Sequence, residues 1–226
     1  MEIYWLYALL IICVVDWFAV AKKIKNLEYI CKPAVMLVLF IFLFLSTHFE
    51  NGSVWFALSV FFSLVGDIFL MLPKSLFTEG LVFFLLAHLS YITGFIYFDL
   101  NINLASVLIF LMIGVSSYTM YRLVTSQKIY FNQVKSKIPV LLYIIAISVM
   151  LFCAALTLTS DAWLFIPSLM VTMGAFLFYI SDSMVAINRY LPDMQIRRVI
   201  SMMAYHIGQG LIIIGVVYQT TLSAAL

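Results

Sequence analysis

Phe61 to Tyr91 reads FFSLVGDIFLMLPKSLFTEGLVFFLLAHLSY, two apolar runs joined by a Pro73-Lys74-Ser75 turn. Each run carries a group that hydrocarbon excludes, Asp67 in the first and His88 in the second. An ionisable side chain inside a membrane span is costly and is retained mainly where it has a function. The same device returns downstream: GAFLFYISDSMVAIN, from Gly174 to Asn188, carries Asp182, and AYHIGQG, from Ala204 to Gly210, carries His206 and Gln209.

The rest of the chain fits this reading. Of its 226 residues 65% are hydrophobic and only 10% charged, with a mean hydropathy of +1.15, too little polarity to clothe a soluble globule. The class is an all-α membrane protein. The first apolar run is not a cleaved signal peptide, because Lys22, Lys23 and Lys25 follow it and no small-residue cleavage site closes it. Cys13, Cys31 and Cys153 sit in or beside apolar runs without metal-ligand spacing and are expected to be buried packing residues.

A span needs about 20 apolar residues, and eight runs qualify, at approximately 3–21, 33–49, 53–73, 79–98, 103–124, 138–157, 163–187 and 198–220. The runs are continuous rather than alternating, which excludes a lipid-facing barrel. The whole chain, 1–226, is therefore expected to form a single bundle of eight transmembrane helices. All 12 Lys and Arg residues fall on one side of such a bundle, while the other side carries Glu2, Glu50, Asp99 and Asp161. The positive-inside rule then puts both termini outside, periplasmic or luminal.

Counting along the helices puts Asp16, Asp67, His88, Asp182 and His206 roughly 8 to 10 Å from the cytoplasmic end. Five ionisable groups at one level point to a polar cavity in that half of the bundle. On the fourth span Gly80, Phe84, His88, Tyr91 and Phe95 form one stripe. On the seventh, Ser181 adjoins Asp182 and is expected to support its carboxylate. On the eighth, Tyr205, His206 and Gln209 face roughly the same way. A lone His or Gln in a bundle is more often interhelical glue than catalyst. Asp16, near an end and beside Trp17, is expected either to reach the interface or to pair with Lys32. A weak duplication signal relates spans four apart: Lys32-Pro33 to Lys137-Ile138-Pro139, Gly66-Asp67 to Ser181-Asp182, and His88 to His206. That would be a parallel repeat of two four-helix halves.

Gly66-Asp67, Met71, Phe77, Gly80, Phe83, His88 and Tyr91, with Lys32-Pro33 upstream and Gly174-Ala175, Phe178, Ser181-Asp182 and Gln209 downstream, resemble the YhhN or lysoplasmalogenase family of multipass membrane proteins. The resemblance covers nearly the whole chain. It implies a hydrolase that cleaves the vinyl ether bond of lysoplasmalogens to a fatty aldehyde and glycerophosphoethanolamine or glycerophosphocholine, with Asp67 and Asp182 as catalytic candidates. His206 stands where that pattern carries an aromatic or aliphatic residue.

The residues suit that chemistry. A vinyl ether opens when its β-carbon is protonated, and water captures the resulting oxocarbenium ion. Two carboxyl groups sharing a dry cavity can divide the work, one protonated and one ionised. Which aspartate does which is not fixed by the sequence. His88, Tyr91 and Gln209 are expected to position water or glycerol, with Ser181, Tyr205, His206 and Asp16 also in the substrate-binding set. Lys32, with Lys74, is expected on the cytoplasmic rim as a cation for the phosphate head group, and the aromatic stripe as receiver of the chain. The expected partners are a lysophospholipid substrate and membrane lipid, with no nucleic acid, cofactor or metal, and the expected location is the inner membrane of a bacterium. Two alternatives stand beside this: a transporter with a carboxylate-lined cavity, and a metal-dependent lipid hydrolase using Asp67, Asp182, His88 and His206.

Overall fold

The computed structural model describes residues 2–72, 76–125, 138–190 and 194–223, and no strand occurs among them. Eight long helices follow one another: α1 Glu2–Lys22, α2 Lys25–Thr47, α3 Ser53–Met71, α4 Phe77–Ile96, α5 Leu104–Thr125, α6 Ile138–Leu156, α7 Phe165–Tyr190 and α8 Gln195–Ser223. A short 3-10 turn, Thr157–Thr159, follows α6. All eight are long and apolar enough to cross a bilayer, where a helix is favoured because it satisfies its own backbone. The chain is an all-helical, multi-pass membrane protein. The expected Pro73-Lys74-Ser75 turn and the polar segment 126–137, with Lys128, Lys135 and Lys137, lie outside the described residues.

The helix limits fall near those expected, with one consequential exception. The second helix does not open at Lys32-Pro33. Lys23 takes a left-handed φ of 59°, Ile24 N–H closes back on the Ala19 carbonyl at 2.9 Å, and α2 begins at Lys25 with Pro33 inside it. The polar heptad before Lys32 is helix rather than linker. Pro33 removes only the bond it would have given to Tyr29, a loss that bundled membrane helices tolerate. Lys32 is thereby lifted about two turns into the bundle.

Packing is closest between α3 and α4 and between α7 and α8, and both crossings run through glycine. A Cβ on Gly66 or on Gly80 would lie 3.3 Å from the other's carbonyl oxygen. At the second crossing a Cβ on Gly174 would be 2.7 Å from the Gly208 oxygen, and one on Gly208 would be 2.8 Å from the Gly174 oxygen. Small residues allow such backbone approach between membrane helices. Both close crossings join helices that are neighbours in sequence, and the two pairs lie four helices apart along the chain. The side chains that the duplication signal paired are not equivalent, since His88 faces α7 whereas His206 faces α1.

The α7–α8 crossing yields a prediction. In Gly174→Ala the new methyl meets backbone atoms that no rotamer change can move, so the helices must part. We expect a loss of about 1–3 kcal/mol, read as a lower unfolding midpoint in detergent. Gly114→Ala is the control, because nothing lies within 4 Å of a Cβ there. An unshifted midpoint in Gly174→Ala would contradict the crossing.

The two ends of the bundle are fastened differently. At one, Arg198 of α8 reaches Glu28 of α2 at 3.2 Å, and the Tyr29 hydroxyl donates to the Met71 carbonyl at 3.1 Å. At the other, Ser160 Oγ donates to the Asp99 carbonyl at 2.9 Å, and the Gln219 amide brackets Ala162 and Leu164 at 2.8 and 2.9 Å. The first end holds the polar residues described next.

Candidate functional site

Lys32 and Asp67 meet first. The ammonium is 2.9 Å from Asp67 Oδ1, and the Tyr205 hydroxyl donates to Oδ2 at 2.7 Å. Lys32 also lies over the Tyr205 ring, 5.9 Å from its centroid. Three helices, α2, α3 and α8, thus converge on one carboxylate. Lys32 is only 8% exposed and Asp67 0%, so the expectation of a rim lysine is corrected. The turns that α2 gains before Lys32 explain it.

Asp182 is held on another side. Its Oδ2 accepts from the Tyr143 hydroxyl at 2.5 Å and lies 2.9 Å from His88 Nε2; that nitrogen is also 3.4 Å from the phenol oxygen. Here α4, α6 and α7 converge. Tyr143 escaped sequence reading because it is one of 13 tyrosines, set in an apolar run with no polar residue within a turn. Ser181 does not support this carboxylate as expected. Its hydroxyl donates to the Ser201 carbonyl at 2.8 Å, and Ser201 Oγ returns a bond to the Ser181 carbonyl at 3.2 Å, a clasp between α7 and α8. The side chain next to an aspartate on a helix points about 100° away from it.

Asp67 and Asp182 line one pocket, together with Lys32, Tyr143 and Tyr205. Its cavity volume is about 30 Å³, enough for a water, which needs roughly 10–15 Å³. Phe84, Ser181 and Ser201 line it too, and Leu70, Leu81, Val185 and Met202, being half-buried, form its outer rim. Below it Phe84, Phe178 and Tyr205 pack edge to face, with centroids 5.4 to 6.2 Å apart. Such pairs hold geometry as well as adding burial.

The remaining candidates go elsewhere. Tyr91 donates to Gln209 Oε1 and Gln209 Nε2 donates to Ser63 Oγ at 3.0 Å, a closed network tying α3, α4 and α8, so neither is free to position water or glycerol. Gln209 and His206 do not act on the same face: His206 Nδ1 accepts from Trp17 Nε1 at 3.2 Å. Asp16 neither reaches the interface nor pairs with Lys32. It is fully buried, its Oδ2 is 3.9 Å from His206 Nδ1, and neither of its oxygens has a hydrogen-bond partner. The aromatic stripe of α4 does not open to a chain, since Phe84, Tyr91 and Phe95 are packed core. Among the described residues no three His, Cys, Asp or Glu side chains gather as they would about a metal ion. The cysteines are free and buried.

A family model, that of the YhhN family, matches residues 27–216, most of the chain. The chain belongs to the YhhN family. The YhhN match includes every residue that touches either pocket carboxylate and stops short of Asp16 and Trp17. No curated protein and no solved structure matches the chain.

Proposed function

We propose that this protein is a lysoplasmalogenase-like hydrolase that opens the vinyl ether bond of a lysoplasmalogen, using Asp67 and Asp182 as its acid–base pair. The observation that carries the reading is that both carboxylates line one water-sized pocket yet have different partners. Asp67 has both oxygens engaged, one by an ammonium and one by a phenol, an arrangement that suits a standing carboxylate. Asp182 is contacted by Tyr143 and His88 on Oδ2 alone, which leaves Oδ1 for the pocket. Asp182 is therefore the acid in this proposal, and Asp67 stabilises the cation and orients water.

The step balances without a cofactor. A proton from Asp182 adds to the β-carbon of the vinyl ether, whose π electrons form the new C–H bond, and the ether oxygen shares the positive charge. Water, oriented by Asp67, adds to the α-carbon and gives up a proton to the now ionised Asp182, leaving a hemiacetal. Its C–O bond to glycerol breaks as the hydroxyl proton passes to the leaving oxygen, giving aldehyde and alcohol. One water is consumed and both carboxyl groups return to their starting states. His88 and Tyr143 fix the orientation of Asp182 throughout. The test is aldehyde release by purified protein from a vinyl-ether lysolipid beside its acyl counterpart. Cleavage of the acyl ester alone, or of neither, rejects the proposal.

The basic end of the bundle is proposed to face the cytoplasm of a bacterial inner membrane, with both termini outside. Reporter fusions at Leu226 and Thr159 are expected to read as external and one at Gln133 as cytoplasmic. Opposite signals at Leu226 and Thr159 would break that topology.

A further inference from the structure

The pocket beside the two carboxylates has no room for a hydrocarbon chain, and the aromatic stripe that faces it is filled with its own rings. A chain-sized space exists elsewhere. Between α5 and α6 runs a groove with a cavity volume of about 370 Å³, against about 30 Å³ for the carboxylate pocket. Apolar cavities of about 150 Å³ already hold benzene. α5 is the most loosely embedded span, with 11% of its apolar window buried, and at its middle Gly114 has no atom within 4 Å of where a Cβ would sit. The few polar groups along the groove are largely spent on the protein itself: Ser117 and Ser148 share a hydrogen bond of 2.6 Å. Phe110, Leu141 and Ile145 line it and are also exposed, so it opens sideways to lipid.

The groove adjoins the site through shared walls. Ile144 belongs both to the groove and to a small apolar cavity lined by Met120, Val124 and Val140. That cavity in turn shares Leu81, Tyr143, Asp182 and Val185 with the carboxylate pocket. Adjoining apolar walls therefore extend from the lipid-facing groove, through Ile144, to the carboxyl of Asp182, beyond which lies Asp67. This is the order in which a single-chain ether lipid would meet them: hydrocarbon first, then the vinyl ether at the carboxylates.

We propose that the α5–α6 groove is the binding site for the substrate's hydrocarbon chain, entered laterally from the membrane, with Ile144 at the joint between chain and reacting carbons. The proposal rests on the catalytic reading above for the identity of the substrate. It places chain recognition on α5 and the groove face of α6, whereas the chemistry belongs to α2, α3, α4, α7 and α8 together with Tyr143 of α6.

Gly114→Trp tests it, because nothing lies within 4 Å of a Cβ there and the groove that Gly114 lines is large enough to be filled by an indole. With a long-chain vinyl-ether lysolipid, KM is expected to rise about tenfold or more, the size that follows from losing apolar contacts of a methylene or more. With a butenyl analogue, too short to reach Gly114, kcat/KM is expected to match the parent. Equal effects on both lipids, or none on either, overturn the assignment. A binding measurement keeps this separate from catalysis: a saturated alkyl-ether lysolipid with a diazirine at its chain end is photolysed with the parent protein and the labelled residues are mapped. Label on the groove faces of α5 and α6 supports the site, even if no vinyl ether is hydrolysed, in which case it is the catalytic reading that falls. Hydrolysis accompanied by label on other helices, or no groove label because a second copy covers that face, overturns the chain site while leaving the catalytic reading standing.

Discussion

Asp182→Asn is expected to insert, purify and unfold much as the parent does, yet to release aldehyde from a vinyl-ether lysolipid at least about 10²–10⁴ times more slowly, the span that general acid–base groups contribute. Asn keeps the shape of Asp and can still accept from Tyr143, but it has no acid proton to give to carbon. Its amide is also neutral in every step, so a developing cation gains nothing from it. Asp67→Asn is expected to lose turnover as well, but it is the less clean test, because it strands the Lys32 ammonium that now sits 2.9 Å from the carboxylate. The two residues act on one reaction, so the double variant should be little slower than the worse single one. Asp16→Asn, whose carboxylate touches no pocket residue, should cost far less. A packing role predicts another pattern: a neutral amide is easier to bury than a charge, so Asp182→Asn would hold or gain stability and keep its rate. Near-parent aldehyde release from a folded Asp182→Asn would sink the carboxylate-pair mechanism.

What could be read from the sequence divides along physical lines. Helix existence was legible, because a bilayer admits few alternatives to a continuous apolar helix and sets its length. Asp67 and Asp182 stood out for the same reason, their cost in hydrocarbon. Partners were harder, since they depend on helix rotation and on where a helix begins. Lys32 shows this: an eight-residue change in the start of α2 turns a surface cation into the buried partner of Asp67. Ser181 shows the rotational version, adjacency in sequence being divergence on a helix. Tyr143 had no signal, because a phenol in an apolar run costs little and so announces nothing. The α5–α6 groove was equally silent, for an opening between two apolar helices leaves the composition of both unchanged.

Lys32→Met carries the second large effect, and here the two accounts of this lysine part. A head-group cation on the rim would, when lost, raise KM and leave kcat and folding alone. The ion pair found here predicts the reverse. Lys32 and Asp67 are 10% and 1% accessible in their side chains, so removing one partner leaves a charge buried without compensation, a change that costs about 3–5 kcal/mol where a pair is broken inside a protein. The unfolding midpoint of Lys32→Met in detergent should therefore fall sharply. Asp67 would keep only the Tyr205 bond and lose the cation that holds its other oxygen in place, so kcat should collapse with it. The second change that settles the matter is Asp67→Leu in the Lys32→Met background. Replacing a buried pair by apolar side chains is often neutral or stabilising, so the double variant should regain most of the midpoint while staying inactive. Recovered folding without recovered turnover would separate the two roles of the pair, fastening α2 to α3 and holding Asp67 as the standing carboxylate. A Lys32→Met protein with the parent's midpoint and kcat, and only a raised KM, would return the lysine to the head group and leave Asp67 without its proposed counter-ion.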